Sequence, residues 1–288
     1  MSTPGITVVL GAGGTRGIAL AAVLRRLEQE RIPVDTIIGC SVGAIVGAAY
    51  AGLGMTPDEM IDAARELRPW SLACFALSRW RVPFLRRPAT RWAGAIPGYV
   101  ERLHRAHFDR LHHGVRRLGI LTYDLRRREE LLVYGGAGVP AAVPLGEAVK
   151  ASAAVPGLFP PLVWRAAGGL RLLCDAGWHT AVPIERAFAP PVNAGRVLAV
   201  DLSIRLCLRQ RHRGYWRHLQ DVCGDRLVIL RPQVRGCATI VPGRDDYRRL
   251  VEAGERSVTP ETVAVLRGWS RPQGAPDGPF LDTPRIGC

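Results

Sequence analysis

Three short runs of this 288-residue chain hold residue types at spacings that can do chemistry. The first is G-C-S-V-G, Gly39 to Gly43. A serine with glycine two residues away on each side, between a β-branched run and a small apolar one, suits a sharp strand-to-helix turn. Such a turn lifts a hydroxyl clear of the backbone for nucleophilic attack. A plainer reading fits the same residues: a tight buried turn whose serine caps the helix beginning at Val42. The second run is G-A-G-G-T-R-G, Gly11 to Gly17. A dinucleotide fingerprint fails there, because Arg16 stands where the third glycine belongs and Asp35 precedes its strand instead of ending it. A phosphate-binding Walker loop fails for want of Gly-Lys-Ser/Thr. What remains is a nest of backbone N–H groups at the positive end of a helix, suited to an oxyanion. The third is Asp175 in L-L-C-D-A-G, a lone acid ending an apolar strand. Such a group is costly to bury unless it has partners or a task.

A serine nucleophile needs a base. Of the seven histidines, His179 is the one candidate for a triad. His104, His107, His112 and His113 fall in an arginine-rich region and read as a solvated helix face. His212 and His218 lie in surface-like R-Q-R-H-R-G-Y-W-R-H-L-Q. Asp175 is the stronger candidate of the two kinds.

These residues must be held by regular elements. Ile6 to Leu10 reads as a strand, and a helix follows with Ile18, Leu20, Leu24 and Leu27 on its apolar face. Asp35 to Gly39 is the next strand and Val42 to Leu53 the next helix. Thr56-Pro57-Asp58-Glu59 then starts another helix, with a cap, a proline and two acids in the favoured places. Strand alternating with helix predicts a parallel sheet covered on both faces. Further on, 118–124 opens a charged hairpin, 144–154 reads as helix, and 168–178 as a strand ending in a turn. Strands are predicted at 196–203 and 226–231, and a last helical stretch at 245–269. Residues 37–55 are uncharged and long enough to span a membrane, but their glycines favour a buried strand, turn and helix.

The composition, 48% hydrophobic and 22% charged, is that of an ordinary globular protein. The formal charge of +14 is carried almost wholly by arginine, Lys150 being the one lysine. That bias reads as the mark of a GC-rich genome and points to no nucleic-acid partner, while the excess favours anionic membrane surfaces. Seven scattered cysteines, with no C-x-x-C pair, argue against a disulfide framework and against a zinc site. They suit a reducing, cytoplasmic setting. Met1 to Gly5 has none of the features of a signal peptide.

Taken in order, G-A-G-G-T-R-G, G-C-S-V-G and D-A-G resemble the patatin-like phospholipase family of bacterial type. The similarity runs through S-A-A-V-P-G-L-F-P-P-L-V-W, V-L-A-V-D-L-S and L-V-I-L-R-P-Q-V, and covers most of residues 6–256. It implies an α/β fold, a three-layer α/β/α sandwich with a mainly parallel central sheet. It also implies a Ser–Asp dyad that hydrolyses fatty-acyl esters of phospholipids or related lipids. By that resemblance Ser41 is the nucleophile, Asp175 the base, and the backbone at Gly13 and Gly14 the oxyanion hole. Arg16 would steady that loop or attract a headgroup phosphate. Gly11, Gly17, Gly39, Gly43 and Gly177 complete the motifs. No metal or organic cofactor is implied; a lipid is the partner, with peripheral contact to an anionic membrane surface.

The sequence departs from the family pattern in three places. Ala176 precedes Gly177 where the family usually has D-G-G or D-G-A, an asparagine usual before a proline is missing from W-H-T-A-V-P-I, and Ala12 replaces a common glycine. A catalytic domain is expected over 1–269, with 68–117 an inserted lid or membrane-facing region and 270–288 a disordered tail. Other readings of the fold are a soluble esterase or thioesterase, and a non-catalytic basic binding protein. Intact catalytic positions weigh against the last.

Overall fold

The computed structural model describes residues 5–66, 96–166, 168–202, 210, 213–237 and 244–270. A sheet of eight strands runs through them: β1 (Ile6–Leu10), β2 (Val34–Cys40), β3 (Arg117–Asp124), β4 (Glu129–Gly136), β5 (Leu162–Ala166), β6 (Gly169–Asp175), β7 (Val197–Val200) and β8 (Leu227–Leu230). Their order is β5-β6-β3-β2-β1-β7-β8, with β4 also paired to β3. From β3 to β8 the neighbours are parallel. The pairs β3–β4, β3–β6 and β5–β6 are antiparallel.

The strands alternate between two apolar layers, as a sheet buried on both faces requires. Ile6, Val8 and Leu10 of β1 face one core with Leu118 and Ile120 of β3. Val9, Ile38, Cys40, Leu121 and Tyr123 face the other. The first core is covered by α1 (Ile18–Gln29), α2 (Val42–Gly47), α3 (Pro57–Glu66), α4 (Ile96–His104) and α5 (Leu145–Ser152). The second is covered by α6 (Ile184–Phe188) and α7 (Arg213–Cys223). The chain closes with α8 (Arg244–Ser257) and α9 (Pro260–Ser270), which return to the first side. This is the three-layer α/β/α arrangement.

Several elements differ from the sequence reading. Helix α1 is buried at nearly every position to Leu24, not on one face, because α8 packs on its outer side. A Cβ at Gly254 would lie 2.4 Å from the Ala19 carbonyl oxygen. The helical stretch 245–269 is two helices: Pro260 opens the second, where its missing N–H is harmless, and the Thr259 hydroxyl accepts the Thr262 amide at 3.3 Å. Strand β5 was not foreseen. As an edge strand it alternates between half-buried and exposed residues, so it lacks a strong apolar pattern. Residues 37–55 form a strand, a turn, α2 and a π-helical turn, Ala48–Gly52. Among the described residues no helix is long and apolar enough to cross a membrane.

The Thr56 helix start is realised as a reciprocal pair. The Thr56 hydroxyl accepts the Glu59 amide at 3.2 Å and the Glu59 carboxylate accepts the Thr56 amide at 2.8 Å. Within 68–117, the described part contains α4, which packs against α5 and buries Leu103, and Phe108 beyond it. The tryptophan-rich residues 67–95 and the tail 271–288 lie outside the described residues.

Candidate active site

The site is made by the way two strands share one edge of β3. Strand β4 pairs with β3 along its whole length, from Arg117↔Gly136 to Asp124↔Glu129, and fills one edge. On the other edge β2 pairs only as far as Cys40↔Leu121. There β6 takes over in the antiparallel sense, with Asp175↔Thr122. The carboxyl ends of β2 and β6 therefore meet head to head on consecutive residues of β3. Ser41, the next residue after β2, comes to face Asp175, the last residue of β6.

Ser41 turns the chain from β2 into α2 with φ +56° and ψ −122°. An L residue adopts that conformation only when its surroundings force it, at a cost of roughly 1–3 kcal/mol. The flanking glycines explain how it fits. A Cβ at Gly39 would lie 2.4 Å from the Gly43 carbonyl oxygen, and one at Gly43 would lie 2.1 Å from that of Leu10. The Ser41 side chain makes no helix-capping hydrogen bond, so the capping alternative is not realised. Instead the hydroxyl is near enough to the Asp175 carboxylate to favour its ionised form.

Asp175 is 4% exposed. Burial raises its pKa to about 6, although hydrogen bonds from the Ser41 hydroxyl and the Gly177 amide pull the other way. The Gly177 N–H reaches Oδ1 at 2.6 Å. A Cβ at Gly177 would meet the Ala12 methyl at 2.9 Å and Oδ1 at 3.0 Å. The order D-A-G thus has a local reason: Ala176 is fully buried in the core, and position 177 lacks room for a side chain.

The first glycine loop lies against the elbow. A Cβ at Gly17 would be 2.2 Å from Val42 Cγ2. The amides of Gly11 and Ala12 are used structurally, donating to Val200 O at 3.1 Å and Ala181 O at 2.8 Å. Among the described residues, no hydrogen bond takes up the N–H of Gly13 or Gly14. Gly14 is exposed and has φ +57°, a conformation that favours glycine. Arg16 points its Nε and Nη2 at the Cys237 carbonyl, at 3.2 and 3.0 Å, tying the loop to the segment after β8.

Glu130, and not Asp175, lies at the Nδ1 of His179. That nitrogen is 2.8 Å from Glu130 Oε1 and 3.2 Å from Thr180 Oγ1. Glu130 also accepts from Thr180 and, at 2.8 Å, from Arg186. His104, His107, His112, His113 and His218 are exposed, but only His104 of the first four lies in a helix. His113 instead stacks on Tyr50, ring centres 4.2 Å apart. His212 lies outside the described residues. Among the described residues, no cluster of three or more His, Cys, Asp or Glu is arranged to hold a metal ion.

Sequence reasoning assigned no role to Ser152. It is fully buried at the end of α5, and its Oγ accepts the Ser41 amide at 2.9 Å. The signal was a single hydroxyl closing an otherwise apolar helix face of Ala148, Val149 and Ala151.

A family model described as patatin-like phospholipase matches residues 8–188. The chain is 30% identical over 197 residues to an uncharacterized NTE family protein of Mycobacterium tuberculosis, covering 68% of this chain and 30% of that protein. The chain thus spans less than a third of that relative's length. Over 46 residues it is 52% identical to the lysophospholipase nte1 of Aspergillus fumigatus, 16% of this chain and 3% of the relative. Among solved structures, VipD from Legionella pneumophila aligns with TM-score 0.50 and 13% identity, over 93% of this chain and 67% of that one. Human GIVD cytosolic phospholipase A2 aligns with TM-score 0.50 and 12% identity, over 93% and 60%. At such identities these two structures speak to the fold.

Proposed function

We propose that this chain, which belongs to the patatin-like phospholipase family, hydrolyses fatty-acyl esters of phospholipids or related lipids through a Ser41–Asp175 dyad. Asp175 accepts the hydroxyl proton as Ser41 Oγ attacks the ester carbonyl carbon. The carbonyl electron pair moves onto oxygen, and the amides of Gly13 and Gly14 stabilise the oxyanion. Collapse breaks the ester C–O bond; the departing alcohol takes the proton from Asp175 and the acyl group stays on Ser41. Water then gives its proton to Asp175 and attacks the acyl carbon. A second collapse releases the fatty acid, and Ser41 Oγ recovers the proton. The scheme uses no metal and no organic cofactor.

What supports this reading most is the meeting of a strained serine with a buried carboxylate whose pKa is near 6. A base poised there is better matched to proton transfer near neutral pH than an ordinary carboxylate. The bonds from Arg16 to the Cys237 carbonyl support a loop-steadying role for it, and not a headgroup contact. The name of one relative, a lysophospholipase, agrees with a lipid substrate. The net charge of +14 favours docking on anionic lipid surfaces, an attraction that salt weakens.

The test is a fluorophosphonate label with its attachment site mapped, run beside fatty-acid release from phospholipid and lysophospholipid vesicles. Label on Ser41, and loss of both label and release in Ser41→Ala, is the expected result. Wild-type turnover by a folded Ser41→Ala protein would sink the assignment.

A further inference from the structure

We propose that Ser152 is a positioning residue for the nucleophile, holding Ser41 by its backbone. The inference rests on reading Ser41 as that nucleophile. The Ser152 hydroxyl has one proton, and it goes to the Leu121 carbonyl at 2.7 Å. Its lone pair receives the Ser41 N–H at 2.9 Å. Both ends of this relay are therefore fixed in polarity, and the residue is 0% exposed, so water does not compete for either bond.

The place of the relay gives it its meaning. Leu121 is where the pairing of β2 with β3 ends, and Thr122 is where that of β6 begins. Ser152 spans this seam, tying the first amide beyond β2 back to β3. A backbone at φ +56° persists only where its surroundings over-determine it. The flanking glycines permit that conformation, whereas a bond to the Ser41 amide selects it. The same end of α5 also reaches the base, since the Ala154 carbonyl accepts the Asp175 amide at 3.0 Å. That second bond is backbone to backbone and tolerates any side chain, which leaves Ser152 as the substitutable half of the clamp.

Two other helix-end serines among the described residues behave differently. Ser257 and Ser270 donate to carbonyls three and four residues back, at 2.6 and 3.0 Å, the usual local bond. Ser152 donates to a strand 31 residues away and accepts from a residue 111 away. It joins tertiary elements and does not finish its own helix.

The experiment compares Ser152→Ala and Ser152→Cys with wild type. Ser152→Ala should label with fluorophosphonate, and turn over ester, about 10- to 100-fold more slowly with little change in KM, because misplacing a nucleophile costs rate more than binding. Ser152→Cys keeps a weaker donor and acceptor and should recover part of the loss. Independently of activity, hydrogen exchange at the Ser41 amide should speed up at least about tenfold in Ser152→Ala, while Ile38 in β2 keeps its protection. A folded Ser152→Ala protein with wild-type labelling and wild-type exchange at Ser41 overturns the proposal. If Ser152→Ala does not fold, the same two wild-type results in Ser152→Cys overturn it. Should wild type itself take no label, the nucleophile reading fails, and the exchange measurement still decides whether Ser152 holds residue 41.

Discussion

Asp175 and Glu130 are two buried carboxylates served by one stretch of chain. The turn that leaves Asp175 delivers the Gly177 amide to it and then carries His179 and Thr180 onto Glu130. Both lose solvation, yet they are pushed in opposite directions. Burial alone would raise Glu130, but hydrogen bonds from Thr180, Arg186 and His179 outweigh it and hold its pKa below the usual range. For Asp175 burial prevails, and its pKa rises to about 6, because the groups favouring its charge are one neutral hydroxyl and one amide. Asp175 lies the deeper of the two, but loss of solvation pushes both upward and cannot explain opposite directions. The difference in direction follows how many donors are supplied and whether one is a guanidinium; the acid given fewer partners is the one the proposed mechanism uses as its base.

The strongest way to break this contrast is Asp175→Asn. Loss of the proposed general base should lower ester turnover about 10³-fold. The same change should stabilise the protein near neutral pH by about 2–3 kcal/mol, the equivalent of raising a carboxyl from its unfolded value to about 6. The sign follows from the direction of the shift. The folded state holds its proton to higher pH than the unfolded chain, so ionising Asp175 weighs against folding progressively from about pH 4 to 6 and fully above. Urea unfolding at pH 7 and pH 4 should therefore show an advantage for the variant at pH 7 that shrinks at pH 4. Wild-type turnover should fall about tenfold per pH unit below 6 as the base is protonated. An asparagine variant no more stable than wild type at pH 7 would remove the contrast.

Gly14→Val addresses the donors that complete the site. A β-branched residue resists φ +57°, and displacing the amide of an oxyanion hole lowers kcat by about 10²- to 10³-fold. Full turnover in a folded Gly14→Val protein would place those donors elsewhere.

The smallest effect is expected on the Glu130 side. His179→Ala removes one of several groups bound to that carboxylate and should cost about 1 kcal/mol of stability, read from thermal unfolding. Turnover should stay within about threefold of wild type, since the proposed dyad has no imidazole between Asp175 and Ser41. If His179→Ala is as inactive as Asp175→Asn, the two regions are not separate and the dyad assignment falls.

Much of the site was legible because its chemistry is written in local patterns. The glycines at 39 and 43 announced a turn too tight for side chains, and the structure has carbonyl oxygens where their Cβ atoms would be. The short apolar run of β1 and the strand–helix–strand–helix rhythm that follows announced a parallel sheet covered on both faces. The edge strand β5 went unseen because half-exposed residues carry little pattern, and the break at Pro260 was missed because both flanking segments read as helix.

By itself, then, the sequence determined what depends on neighbours along the chain: the strands and helices, the elbow at Ser41, and an acid ending an apolar strand at Asp175. Only the tertiary structure decided that β6 begins pairing where β2 stops, that Ser152 grips an amide 111 residues away, and that His179 goes to Glu130. The physical reason is that hydrogen bonds and desolvation act through space. A single aspartate in the sequence specifies an ordinary carboxyl group; the residues that fold around it set whether that group is held ionised or left poised to take a proton.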